Sequence, residues 1–303
     1  PLAQTLCDST GRYSTFQEYA EKENHLNALM QQIDHIESMN LDKKLVHIID
    51  REGDSIAHLR EMQQKGYSWL VRVKEGNLVE FQGQSHKVKD VANQIISSEI
   101  KKVDFKGQEA VLHVGETQIC ITRAAKPKGI GSDGKRLPEK KGAPLTARLI
   151  VAEVKDSDGT VKGRWCLVSN VSSTITAAEL STWYYWRWTI ESFFKLLKQA
   201  GHDVESWLQT SPEAILRRLL ISCMACALTW RIQRSNDEQN AKVRVFLTRI
   251  SGRVQKRGKR ESAPAILAGL SILLNTLKLL SEYSESDLRE MAEIALGYPH
   301  TDV

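Results

Sequence analysis

The stretch Trp183-Tyr-Tyr-Trp-Arg-Trp-Thr-Ile-Glu-Ser-Phe-Phe-Lys-Leu-Leu-Lys198 sets how the rest of the chain is read. It holds no Gly or Pro, and its apolar residues recur every three to four positions, the pattern of an amphipathic helix. At about 100° per residue, Trp183, Trp186, Ile190, Phe193, Phe194 and Leu197 share one face, expected to enter the core. Tyr184, Arg187, Glu191, Lys195 and Lys198 form the neighbouring stripe. One carboxylate thus sits among three cations and a phenol at the rim of a core face. Such charges are costly there unless an anion or a metal binds. An ordinary i,i+4 ion-pair ladder is the plainer alternative.

Toward the N-terminus, Lys44-Leu-Val-His-Ile-Ile49 is a compact β-branched run ending at Asp50. Gly53 breaks the chain, Asp54 or Ser55 can cap a helix to about Lys65, and Gly66 closes it. Residues 67–73 read as another strand. Strand, helix and strand at this spacing make a βαβ unit, which implies a parallel pair. Asp50 then lies at the carboxyl end of a strand, where α/β proteins bind ligands and metals, unless it only starts a turn. Upstream, residues 1–7 suit a short strand and 16–39 a helix.

Between 78 and 162 the texture changes to short strand-like runs (101–105, 110–114, 118–122, 145–154) divided by glycines, with a short helix near 91–96. Loop 126–144 carries Lys126, Lys128, Lys135, Arg136, Lys140 and Lys141, either solvated or gripping phosphate. Residues 161–168, with Trp165 inside, read as a strand. Helices are expected at 214–231 and 264–280, with the basic run Arg253–Arg260 before the second. The expected organisation is an α/β mixed sheet with flanking helices: a partial core over 1–77, a β-rich insertion over 78–162, the rest of the core over 163–230, and a helical region over 231–303.

With 303 residues the chain can bury a full core, and its formal charge of +5 permits a nucleic-acid partner without requiring one. Five cysteines, mostly in apolar runs, argue against a disulfide scaffold and for a reducing compartment. Cys223-x-x-Cys226 has no second ligand pair, so core packing is expected over zinc. No leader opens the chain and no apolar run approaches the ~20 residues of a membrane span, so a soluble protein is expected. The chain starts at Pro1, which suggests a fragment of something longer.

The helix and the aspartate segment together resemble the transposases of the IS4 type, within the DDE group of RNase H-like enzymes. That family's signature, Tyr-x2-Arg-x3-Glu-x6-Lys, is met at every gap by Tyr184, Arg187, Glu191 and Lys198, with Lys195 at a further basic position. Asp50-Arg-Glu-Gly-Asp54 resembles the second-carboxylate segment, and Val71-Arg72-Val-Lys74 the basic strand after it. A β-rich insertion carrying a tryptophan near its end, as Trp165 does, is also similar. The resemblance covers about residues 40 to 230.

It implies an RNase H-like fold and metal-dependent cleavage and strand transfer at transposon ends. Asp50 and Glu191 would be catalytic ligands to two Mg²⁺ (or Mn²⁺) ions, since hard cations take oxygen donors. Tyr184, Arg187, Lys195, Lys198, Arg72 and Lys74 would hold DNA phosphates, and Trp165 would stack on a flipped base unless it packs in the core. Transposon-end and target DNA would be the partners, a DNA-bound homodimer the assembly, and the bacterial cytoplasm the location. The first carboxylate of the DDE set has no good candidate: Asp8 is followed by too little chain, and Asp34 and Asp42 fall in or beside helix. The first catalytic strand is therefore expected to be absent and the chain alone poorly active. A resolvase-like two-metal nuclease and a non-catalytic DNA-binding remnant are the alternatives. A purely structural protein leaves the charged stripe unexplained.

Overall fold

The computed structural model describes residues 25–105, 108–125, 138–199, 207–208, 211–253 and 260–297. The chain divides into two compact units, Leu2–Thr189 and Ile190–Val303.

In the first unit, α1 (His25–Ser38) leads to β1 (Val46–Ile49), a 3-10 turn (Arg51–Gly53), α2 (Ile56–Gln64) and β2 (Ser68–Arg72). Then follow β3 (Leu78–Phe81), β4 (Gln84–Lys87), α3 (Val88–Ala92), β5 (Ser98–Phe105), β6 (Gln108–Ile121), β7 (Leu145–Lys155), β8 (Val161–Ser169) and α4 (Ala177–Trp186). One eight-stranded sheet runs β1-β2-β8-β7-β6-β3-β4, with β5 on part of β6. The expected βαβ unit is present: β1 and β2 pair in parallel, Ile49 opposite Val71. Every other pairing is antiparallel.

Strand alternation sends successive side chains to opposite faces. Trp69, Val71, Leu149, Val151, Cys166 and Val168 meet Met30, Ile33, Leu59, Met62, Val88 and Val91 of α1–α3 on one face. Leu70, Ile150, Ala152, Val154, Trp165 and Leu167 meet Leu180 and Tyr184 of α4 on the other. Burial pushes the Cys166 thiol up to about 11, so it stays protonated and packs as a small apolar group. The strands between 78 and 155 share this hydrogen-bonded sheet with β1, β2 and β8.

Two expected strands, 110–114 and 118–122, are one, because Gly115 is not a turn. A side chain there would come within 2.5 Å of the Ile96 carbonyl oxygen and 2.6 Å of Ile95 Cγ2, so the glycine lets that segment cross the strand closely.

The second unit holds most of α5 (Trp188–Gln199), then α6 (Pro212–Arg234), α7 (Glu238–Ile250), α8 (Ala263–Glu282) and α9 (Glu285–Leu296). Asp237 caps α7 by accepting from Asn240 N at 2.9 Å, a start signal that sequence reading passed over, as it did Ser284 before α9. Leu196, Leu197, Cys226, Ala263 and Leu267 form the core, with Phe193 and Trp230 edge to face at 5.9 Å. By length and composition α8 is apolar enough to cross a membrane, against expectation; its first turns bury Ala263, Ala265, Ile266 and Leu267 within its own unit.

Cys223 and Cys226 are buried in α6 with thiols raised by burial, Cys226 to about 11. Cys226→Ser should cost about 1–2 kcal/mol for a hydroxyl in an apolar core, read by urea denaturation. Zinc or a chelator should leave the wild-type transition unmoved; a shift with zinc would mark a metal site instead.

Candidate active site

Asp50 leaves β1 at its carboxyl end, and Gly53 N donates to the Asp50 carbonyl at 3.1 Å to close the turn. Any side chain at Gly53 would collide with Ile49, so this tight return beneath Asp50 requires glycine. Asp54, the other acid of the segment, accepts from Lys74 N at 3.3 Å and Asn77 Nδ2 at 3.0 Å, and pairs with Lys74 Nζ at 3.4 Å. It ties the turn after β2 to the start of α2. Lys74, expected on DNA, therefore also has this structural partner.

Asp50 directly follows Ile49, the last residue of β1 paired with β2, and Arg72 follows its partner Val71. Alternation puts Arg72 on the α4 side with Leu70. Arg72 is half-buried and has no ion pair among the described residues. From the end of α4, Arg187 Nη1 approaches Asp50 Oδ2 at 3.8 Å, the two side chains 18% and 43% exposed. Its guanidinium also lies 5.7 Å from the Tyr184 ring centroid. The Tyr184 hydroxyl is buried without a hydrogen-bond partner among the described residues, the kind of orphan that calls for an explanation at a site.

The helical stretch has the expected period but a different phase. It is two helices meeting at Arg187, whose N–H reaches back only three residues, to Tyr184 O at 3.0 Å. Leu180, Ser181 and Tyr184 form the buried stripe of α4, whereas Trp186 is 59% exposed and Trp188 38%. In α5 the buried residues are Leu196 and Leu197, with Ile190 and Phe194 exposed. The stripe expected at the rim of the core face thus begins on the sheet side, with Tyr184 buried and Arg187 reaching Asp50. The exposed Trp186 and Trp188 were missed; their only signal was position on either side of Arg187.

Glu191, Lys195 and Lys198 belong to the second unit, exposed along one face of α5, with Glu191 in its first turn where the helix dipole favours an anion. Trp165 is 7% exposed and edge to face with Phe105 at 6.2 Å, above Gly163; stacking on a base would require it to leave that contact. Asp34 is engaged by Lys65 at 2.8 Å and Tyr67 at 3.0 Å, and Asp42 lies in the loop after α1. Asp8, loop positions 126–137 and basic positions 254–259 lie outside the described residues. Among the described residues no three His, Cys, Asp or Glu side chains gather to hold a metal. Asp50, an accessible oxygen donor, suits a hard cation, but the described set falls short of a triad.

A family model described as a transposase DDE domain matches residues 3–228, more than half of the chain and inclusive of Asp50, Arg72, Tyr184, Arg187 and Glu191. No curated protein matches the chain.

Proposed function

The chain belongs to the transposase DDE domain family, and we propose that it supplies the catalytic region of an IS4-type DNA transposase, cutting and joining strands at transposon ends. Family membership implies DNA as the substrate and nuclease and strand-transferase chemistry as the class, which generally uses divalent metals. The observation that carries the finer reading is Asp50 at a strand end with the Arg187 guanidinium 3.8 Å away. A carboxylate with a guanidinium beside it is an arrangement for a phosphodiester, one group for a cation and one for the anion.

Asp50 and Glu191 would hold Mg²⁺ or Mn²⁺, which when bound supplies Lewis-acid activation of the attacking oxygen and support for the leaving one. Arg187 and Arg72 grip phosphate oxygens, Arg187 as a planar fork whose guanidinium already lies over the Tyr184 ring. Lys195 and Lys198 add contacts from α5, and Lys74 one from the turn after β2. Pairing of two DNA ends by a homodimer, and capture of target DNA, complete the proposed cycle.

A second reading, a non-catalytic DNA-binding remnant, draws on the absence of a three-carboxylate cluster among the described residues. Titrating Mg²⁺ against end-labelled duplex DNA separates the two. A transposase should yield nicked or joined products that rise with Mg²⁺ and vanish with chelator. Binding that ignores Mg²⁺ and never gives product, in a form that includes any upstream segment, would leave only the remnant.

A further inference from the structure

The Arg187 side chain can meet Asp50 only if α4 is set correctly along the sheet, and the structure shows what sets it. Arg148 lies on β7, opposite Ser169 of β8 and Gln118 of β6. Alternation with Ile150, Ala152 and Val154 points it to the α4 face. The two hydrogens of its Nη1 are shared among three carbonyls of the chain entering α4: Val171 at 3.2 Å, Ser172 at 3.0 Å and Ile175 at 2.8 Å. Its Nε donates to Glu116 on β6 at 2.7 Å, and the Arg148 side chain is 13% exposed.

The next residue is the N-cap. Thr176 Oγ1 accepts from Glu179 N at 3.2 Å while Thr176 N donates to Glu179 Oε2 at 2.8 Å, a reciprocal capping box. The Glu179 carboxyl is held below its usual range by the backbone and side-chain hydrogen bonds of Thr176. Beyond the cap, Leu180 and Tyr184 bury against the sheet and Lys101 of β5 donates to Thr182 at 3.0 Å. The helix is ten residues, about 15 Å at 1.5 Å per residue. A rod of that length, clamped at its start and packed along its face, fixes the position of its end. That end is Arg187.

We infer that Arg148, braced by Glu116, is a positioning residue for DNA engagement: it fixes the start of α4 so that Arg187 stands beside Asp50. This rests on the reading of Arg187 as a phosphate-binding residue. A largely buried guanidinium whose Nε is held by Glu116 while the two Nη1 hydrogens are shared among three loop carbonyls ties that loop to the sheet more closely than packing alone demands, and the single nitrogen of a lysine does not present both sets of donors in one plane.

The test is a double-mutant cycle on affinity for a fluorescein-labelled duplex oligonucleotide at low salt, read by anisotropy. Arg187→Ala should weaken binding about tenfold, the loss of a charge-assisted contact. Arg148→Ala should weaken it by a similar factor alone, yet by less than about twofold when Arg187 is already alanine, because positioning has nothing left to position. Arg148→Lys should recover part of the loss. Glu116→Gln, which removes the charge of the brace and keeps its shape, runs through the same cycle should Arg148→Ala fail to fold. Equal factors in both Arg187 backgrounds, for Arg148→Ala or for Glu116→Gln, would overturn the positioning role. No effect of Arg187→Ala would instead overturn the reading of the site, and the positioning role with it.

Discussion

With asparagine at Asp50, DNA cleavage by a form of the protein that cuts DNA should fall by about a thousandfold or more, while the thermal transition moves little. The separation follows from where Asp50 sits. Its side chain is 43% exposed and its ion pair with Arg187 is long, 3.8 Å, so the folded state gains less than about 1 kcal/mol from it. Asparagine keeps the shape and removes the charge on which a cation depends. Asp54→Asn is the informative contrast. Its carboxylate receives Lys74 N, Lys74 Nζ and Asn77 Nδ2, so its loss should appear in stability before chemistry. Cleavage gels and denaturation curves on both variants check this. Cleavage by Asp50→Asn within tenfold of wild type would remove Asp50 from the metal site.

Gly269→Ala should be the most damaging single methyl in the helical unit, about 3 kcal/mol or more in urea denaturation. A Cβ at Gly269 would fall on the Leu247 carbonyl oxygen and lie within 2.6 Å of its carbonyl carbon. Backbone on both sides leaves no side chain to swing away, so α7 and α8 must separate. That exposes Leu247, Ile266 and Leu267, all nearly or fully buried. Ser271→Ala, on an exposed position of the same helix, should stay within about 0.5 kcal/mol. A Gly269→Ala protein as stable as wild type would mean that α7 and α8 do not pack at this point.

What the sequence revealed depended on whether a signal was local. The β1-α2-β2 unit was legible because its turn residues and β-branched runs are contiguous, and Asp50 was legible with it. The gaps of the Tyr-Arg-Glu-Lys pattern were legible because they are spacings. The phase of the helix was not. Trp183 packs half-buried against the sheet as its place suggests, but Trp186 is 59% exposed, because the burial of α4 is carried by Leu180, Ser181 and Tyr184. Gly115 looked like a turn because the segment crossing it, Ile95–Ile96, is some twenty residues away in sequence. Arg148 gave no signal at all. An arginine in an alternating strand is expected at a solvated face, and only the folded path of residues 171–175 gives it work.

The place of β1 in the sheet has one more consequence. Among the described residues it lies at one end of the sheet, paired on one side only. In a parallel edge strand alternate amides point away from the neighbour, so among Val46–Ile49 half the backbone groups have no ladder partner there. Hydrogen exchange should find those amides faster than their counterparts in β2, which is flanked on both sides. The residue that ends this lightly tethered strand is Asp50. Its precision is therefore borrowed: whatever pairs with the open edge, or grips the carboxylate from the opposite side, tightens the strand that carries it.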